Sequence, residues 1–579
     1  MRRTFVIYIR QSFASKEPPL VPLDDIRCPP PTTNSSGFVE VDEVTIRRPV
    51  TPHNYRSDGI LEVSASASHP IHDLIAEAEN KWHVKENIAS KNIREAFYEY
   101  QRRYGRLPPK GFDRWWNYVQ EHNVKLPDDY DQIWLDLEPF WGMDPIELQQ
   151  FQKEQEGHAE SFTIGKIEGG PISVVNRSLT KPELLRSSEA FLSLLNPIEE
   201  HLPAFRAVVS PHDNPYGFID YDVKQALLKA AKAKYHLKVK DLPPRSSRGW
   251  MTACDEHQDT HTTTTRGDFF GKTFIHDHYK AMNPCMHPKY LDIHGQFLSY
   301  DGHPPGPDRP MVPKFAFCST PLHYDIRIPN TVSWTEDIHP QEHNPEWDDR
   351  ADERLSWRGR NTGIWHTSQN KWRDTQRPRT VTFTNQMDGE VDVLFPSPNR
   401  DDPVGESVKM ARSKLNPALF DVAFVGSPLQ CPEEYCHEIE NMFDWRRYQD
   451  TRGAGKFKYV LDVDGNGWSS RFQRLMISNA LVFKTTIYPE WFMDRIQPWV
   501  HYVPVQVDLS DLYDTFLFFR GDLLGRGSHP DQARKIAQNS RKWAKEFWRK
   551  EDMTAYTFRL FLEYARVMSP ERDSMNFRI

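Results

Sequence analysis

The stretch Lys458-Tyr459-Val460-Leu461-Asp462-Val463-Asp464-Gly465-Asn466-Gly467-Trp468-Ser469-Ser470-Arg471-Phe472-Gln473-Arg474-Leu475-Met476, followed by Ala480-Leu481-Val482-Phe483, decides the fold. It reads as a buried strand, a glycine loop, a short helix and a second buried strand. That order is a parallel βαβ unit. Ser469 and Ser470 are expected to cap the helix start. Free amides and the helix dipole at that point favour an anion. Arg471, in the first turn, offers a planar fork that suits phosphate.

Two other patterns overlap this stretch. Asp462-Val463-Asp464 matches the Asp-x-Asp that binds a metal in one class of sugar transferases. An EF-hand reading of Asp462 to Gln473 fails, because position 12 is Gln473 and a strand precedes the loop. A second cationic loop lies upstream, Ser356-Trp357-Arg358-Gly359-Arg360-Asn361-Thr362-Gly363. Its paired arginines and glycines make a tight turn that could face an anion.

The βαβ pattern repeats outward. Phe205 to Val209, Thr380 to Phe383 and Asp421 to Phe424 read as short buried strands. Helical spacing appears at 71–82, at 93–104 with a stop at Gly105, and at 145–157, 181–196, 222–235 and 531–568. These elements give five segments. Residues 1–68 form a Pro-rich stem or extended wrap, and 69–197 a helical region. Residues 198–350 form a Rossmann-like domain with a His-rich, loop-dominated insertion at 254–310. A second Rossmann-like domain spans 351–530, and helices at 531–579 pack back across. The fold expected is α/β: two doubly wound domains facing a cleft, with an N-terminal helical extension.

Composition narrows the function. Of 579 residues, 38% are hydrophobic and 27% charged, enough for real cores and unlike a disordered chain. The net charge is −8 and no basic run occurs, so nucleic acid is not an expected partner. No apolar run approaches the ~18 residues of a membrane span, so a membrane would matter only through an anchor absent from this sequence. None of the six cysteines lies in a Cys-x-x-Cys pair, which removes zinc-ribbon and thioredoxin readings. Cys431 with Cys436, and Cys254 with Cys285, are the candidate disulfides. Sequons at Asn34 and Asn176 hint at a secretory compartment. His257, His261, His276, His278, His287 and His294 raise a zinc question, but His276-Asp277-His278 is not a usual catalytic spacing, and no metal is expected. No Gly-x-Ser-x-Gly elbow supports a hydrolase.

Three motifs in order resemble glycosyltransferase family 90. They are Trp357-Arg358-Gly359, the 458–483 stretch, and Pro498-Trp499-Val500-His501-Tyr502-Val503-Pro504-Val505 followed by Asp508-Leu509-Ser510. This family holds the fungal capsule-associated xylosyltransferases and the animal protein O-glucosyltransferases of the Rumi type. The resemblance covers about 200–568, and the helices at 69–140 look like the fungal branch.

The resemblance implies a GT-B-like fold and metal-independent, inverting transfer from a UDP-sugar. The 351–530 domain would bind the donor and 198–350 the acceptor. Arg358, Gly359, Arg360, Asn361 and Thr362, with Ser469, Ser470 and Arg471, would hold the diphosphate. Arg360 stands where the animal members commonly have Ser. Asp213, in His212-Asp213-Asn214-Pro215, matches the family's catalytic base, and a base is what inverting transfer requires. The implied partners are a UDP-sugar, UDP as product, and a mannose-containing glycan. UDP-xylose is the expected donor, giving a β-1,2-xylosyltransferase-like enzyme of the secretory lumen, in the Golgi. The alternatives are transfer of glucose or another hexose from UDP, or a catalytically silent glycan-binding protein on the same fold.

Overall fold

The computed structural model describes residues 53–157, 160–178, 185–244, 249–256, 269–299, 305–331 and 344–579. Two sheets carry the architecture. The second-half sheet has six strands in the order Trp445–Arg446, Phe420–Val425, Asp352–Gly359, Phe457–Val463, Leu481–Thr485, Val503–Pro504. All of its pairings are parallel. Phe420–Val425, Phe457–Val463 and Leu481–Thr485 are buried on both faces, as covered parallel strands must be.

The first-half sheet is mixed. Phe205–Val209, Lys314–Ala316 and Ile326–Arg327 run parallel. An antiparallel hairpin, Ser161–Lys166 and Ile172–Ser178, completes one side. It is therefore only partly the doubly wound sheet expected for 198–350. Thr51–Ile579 form one compact unit holding both sheets.

Helices fill the space around the sheets. Ile93–Tyr104 starts at Asn92, whose side chain accepts from the amides of Arg94 and Glu95, and ends at left-handed Gly105. Phe112–Glu121 and Asp131–Trp141 escaped the sequence reading. Their buried faces (Trp115, Trp116 and Val119; Ile133, Leu137 and Phe140) have helical spacing. The last helix, Lys550–Met568, is buried almost throughout. Its charged residues neutralise one another: Glu563 pairs with Arg559 at 3.1 Å and with Arg566 at 2.6 Å. Trp115 Nε1 donates to the Ala555 carbonyl at 3.0 Å, and Tyr564 hydroxyl to the Arg206 carbonyl at 2.8 Å. The tail thus closes the core of the first half.

Two local expectations need correction. Thr380 to Phe383 is no strand; it lies inside the helix Gln376–Asn385. Thr380 and Thr384 hydroxyls donate four residues back, to the carbonyls of Gln376 and Thr380, so β-branched residues are accommodated there. Burial of Thr380, Val381 and Thr384 overrides strand propensity. Ser469 and Ser470 do not cap the helix Phe472–Ile477, which begins after Arg471 without a side-chain cap. Ser469 hydroxyl instead donates to the fully buried Asp462 carboxylate. The 254–310 insertion is loop-dominated in its described residues and carries one strand. Its strand Phe269–Ile275 pairs with Ile60–Ser64, so the described end of the 1–68 segment is an arm laid along the insertion.

Both candidate disulfides exist, Cys254–Cys285 and Cys431–Cys436, and Cys318 is buried and free. Cys28, Asn34, His257 and His261 lie outside the described residues. No helix among the described residues is long and apolar enough to cross a membrane.

Candidate functional site

Ligands of parallel α/β sheets bind where strands end and loops leave. Here three such ends converge: the loop after Phe205–Val209 with Asp213, the loop after Asp352–Gly359, and the glycine loop after Phe457–Val463. Asn466 Nδ2 donates to Asp213 Oδ2 at 3.1 Å, and Asn466 Oδ1 accepts from the Gly363 amide at 2.9 Å. One side chain therefore ties all three loops. Asn214 Nδ2 donates to the Asn466 carbonyl at 2.7 Å and to Gln296 Oε1 at 2.8 Å. Tyr488 hydroxyl donates to the same carbonyl at 2.9 Å.

Asp213 is accessible to solvent yet ringed by protein. Desolvation raises its carboxyl above the usual range, opposed by the Asn466 hydrogen bond and the charges of His212 and Arg377. Such a carboxylate can reach a substrate and is a better base than an ordinary Asp. His212 turns elsewhere, with Nε2 3.4 Å from Glu160 Oε2.

The cationic centre is a pair the sequence reading only half identified. Arg471 Nη1 donates to the Arg358 carbonyl at 2.6 Å and Nη2 to the Val463 carbonyl at 3.0 Å. Arg377, in the first turn of Gln376–Asn385, donates to the carbonyls of Arg360 and Asp464, each at 2.9 Å, and to Thr362 hydroxyl. Trp357 lies between them, its ring 5.1 Å from the Arg471 guanidinium and 5.9 Å from that of Arg377. Burial, and then repulsion from Arg471, pushes Arg377 down to about 9. A buried and a half-buried guanidinium that donate to carbonyls and hydroxyls, without a carboxylate hydrogen bond of their own, are an environment for an anion. Asp462 lies 3.8 Å from Arg471, but it accepts from Lys484 Nζ at 2.9 Å and from Ser469.

The remaining expected donor residues take varied positions. Arg358 faces away from the pair, since successive strand residues point to opposite faces; it bonds Asp421 at 2.7 Å. Gly359 leaves room for the Trp357 ring and for Arg471, because a Cβ there would lie 2.6 Å from the ring and 2.7 Å from Arg471 Nη1. Arg360 is exposed and donates to Tyr448 hydroxyl at 2.9 Å. Asn361 is buried and exchanges two hydrogen bonds with the Leu429 backbone. Thr362 receives Arg377, Ser469 is turned to Asp462, and Ser470 is exposed. Arg377 was missed because the residues just after it were read as a strand.

Of the Asp-x-Asp carboxylates, Asp462 is engaged through both oxygens by Ser469 and Lys484, and Asp464 through Oδ2 only, its Oδ1 being buried without a hydrogen-bond partner. Asp464 Oδ2 accepts from the Ile487 amide at 3.0 Å and lies 3.5 Å from His294 Nε2. His276, His278 and His287 bond to Arg56, Tyr502 and Asp58, respectively. No group of three or more His, Cys, Asp or Glu among the described residues is placed to hold a metal. The 498–505 motif fastens the sheet edge: Trp499 Nε1 donates to the Ile275 carbonyl at 2.9 Å, and the Val505 amide to the Lys484 carbonyl at 2.9 Å.

Residues 300–575 match the sequence profile described as Glycosyl transferase family 90. Similar proteins include Protein O-glucosyltransferase 2 of Danio rerio, 35% identical over 124 residues, 21% of this chain and 23% of that protein. Protein O-glucosyltransferase 1 of Homo sapiens is 24% identical over 277 residues, 45% of this chain and 58% of that protein. O-glucosyltransferase LpsA of Dichelobacter nodosus is 27% identical over 128 residues, 22% and 38% of the two. The chain thus spans less than two thirds of the length of each of these relatives.

Proposed function

Residues 300–575 are a glycosyltransferase family 90 domain, and from that premise we propose an inverting UDP-sugar glycosyltransferase on a GT-B-like plan, with Asp213 as general base. The observation that carries this reading is the Asp213–Asn466 hydrogen bond of 3.1 Å. It joins the carboxylate at the end of one sheet to the glycine loop of the other, beside the arginine pair.

The diphosphate of the donor lies against Arg377 and Arg471, with Arg360 and Ser470 at the open edge. Gly359, Asn361, Thr362 and Ser469 shape the cradle, and Arg358 braces it through Asp421. The acceptor hydroxyl gives its proton to the Asp213 carboxylate as its oxygen attacks C1 of the sugar. The bond from C1 to the β-phosphate oxygen breaks, and UDP leaves carrying the electron pair. The guanidiniums stabilise that charge. A single displacement inverts C1. A divalent cation is not required in this scheme. Arginine supplies the positive charge, and Asp462 and Asp464 already serve Lys484, Ser469 and the Ile487 amide.

The relatives' names favour glucose as the sugar moved, so UDP-glucose is the donor we propose first. UDP-xylose, pointed to by the helical region at 69–140, is its competitor. Mannose-containing glycans remain the first acceptor class to try. Two disulfides suit an oxidising lumen, which supports a place in the secretory pathway, the Golgi included. The test is UDP release from UDP-glucose and UDP-xylose in EDTA. Faster release from UDP-glucose supports the assignment, and exclusive use of UDP-xylose overturns the choice of glucose.

A further inference from the structure

Asp213 has an exposed side. Tyr216, three residues on, is 47% exposed. Its backbone is nevertheless fixed. The amides of Tyr216 and Gly217 donate to the buried carboxylate of Asp325 at 3.1 and 3.0 Å. A Cβ at Gly217 would lie 2.6 Å from the Tyr324 ring, which holds the chain in place on its other side.

The ring itself is flanked. Lys314 Nζ sits 4.8 Å from its centre and covers one face. The His212 imidazole meets it edge-on, with centroids 5.9 Å apart and planes at 65°. His212 Nε2 is in turn 3.4 Å from Glu160 Oε2. The phenol feels the charges of Asp325, Glu160 and Asp213, which places the group in one neighbourhood. An exposed aromatic on a free loop would need no explanation. This one has a pinned main chain, one occupied face, a carboxylate–imidazole pair at its edge and the base three residues away.

A pyranose matches each part of that set. It has a flat patch of C–H groups for an aromatic face. It has neighbouring hydroxyls that donate to a carboxylate and accept from an imidazole. A seryl or threonyl side chain offers the hydroxyl without the flat face.

We propose that Tyr216 is the stacking platform of an acceptor subsite and that the acceptor is a saccharide, its hydroxyls directed to the His212–Glu160 pair and its reacting hydroxyl to Asp213. The proposal rests on the transferase reading.

The test uses the full chain saturated with UDP and titrated with methyl glycosides of mannose, glucose, galactose and xylose and with their disaccharides. At least one should bind. Its affinity should fall about tenfold or more in Tyr216→Ala and stay within about threefold in Tyr216→Phe, because the ring makes the contact. UDP affinity and melting temperature should be unchanged in Tyr216→Phe, and UDP affinity unchanged in Tyr216→Ala. Equal glycoside binding by Tyr216→Ala overturns the platform. A wild type that binds UDP and takes a polypeptide acceptor but no glycoside overturns the saccharide assignment. Failure of the wild type to bind UDP would instead remove the transferase reading beneath it.

Discussion

Gly467 lies so close to the main chain of Asp213 that a Cβ on it would stand 1.7 Å from the Asp213 carbonyl oxygen. The glycine loop and the Asp213 loop therefore meet at one point, and their separation is fixed by the absence of a side chain. Gly467→Ala must push the two loops apart. The variant should fold, since the contact is local, but kcat should fall about a hundredfold, the scale of an ångström-sized misplacement. Steady-state kinetics beside a melting curve would check this; a fully active Gly467→Ala would show that the two loops need not meet.

Asp213→Asn keeps the shape and removes the proposed base. Turnover should drop by about two to four orders of magnitude while UDP affinity, measured by calorimetry, stays the same.

The Asn466 hydrogen bond lowers the Asp213 pKa, against the larger raising effect of burial. In Asn466→Ala the carboxyl should therefore titrate higher. The acid limb of the kcat/KM profile, which rises with pH as Asp213 loses its proton, should move to higher pH than in the wild type. An acid limb unmoved by the substitution would mean that another group controls it.

Arg377 and Arg471 divide the work differently from Arg358. Arg377→Ala and Arg471→Ala should each weaken UDP binding by about ten- to a hundredfold and leave uridine binding nearly intact, because a charged hydrogen bond to phosphate is lost. Arg358→Ala should act mainly on stability, since its guanidinium serves Asp421 at 2.7 Å.

Glu490 is buried, and desolvation raises its carboxyl to about 8. An unfolded Glu titrates near about 4.3, so between those values the folded state holds the extra proton. Wild-type stability should therefore fall as pH rises through that window. Glu490→Gln lacks this slope. Its melting temperature relative to wild type should climb from about pH 4.5 to about pH 8 and level off beyond. Parallel curves across the range would show that Glu490 is ionised in the folded protein.

Legibility in the sequence followed burial and periodicity. The strands around Val422, Val460 and Val482 were readable because covered parallel strands are uniformly apolar. Gly105 marked a helix end through local chemistry, while the cap at Asn92 went unread. Thr380 to Phe383 misled because β-branched residues favour strands, and only the tertiary setting of Val381 and the back-bonding of Thr380 and Thr384 made a helix. That error hid Arg377. Ser469 was misread because a cap is a local signal, while the buried Asp462 that claims its hydroxyl lies in the preceding strand. The alternation of Trp357 and Arg358 was visible in principle, but which face held the site depended on Arg377 and Arg471. Tyr216 gave no sequence signal, since its fixing by Asp325 spans more than a hundred residues.

If Asp213 accepts the proton of an acceptor hydroxyl while the Arg377–Arg471 pair holds the departing UDP, turnover needs both groups. UDP release from UDP-glucose in EDTA, with mannosides as acceptors, tests it in wild type, Asp213→Asn and Arg377→Ala side by side. Wild type should release UDP, Asp213→Asn should lose nearly all release with UDP affinity preserved, and Arg377→Ala should bind UDP more weakly. Full activity in Asp213→Asn, or release by wild type only after manganese is added, would contradict these roles.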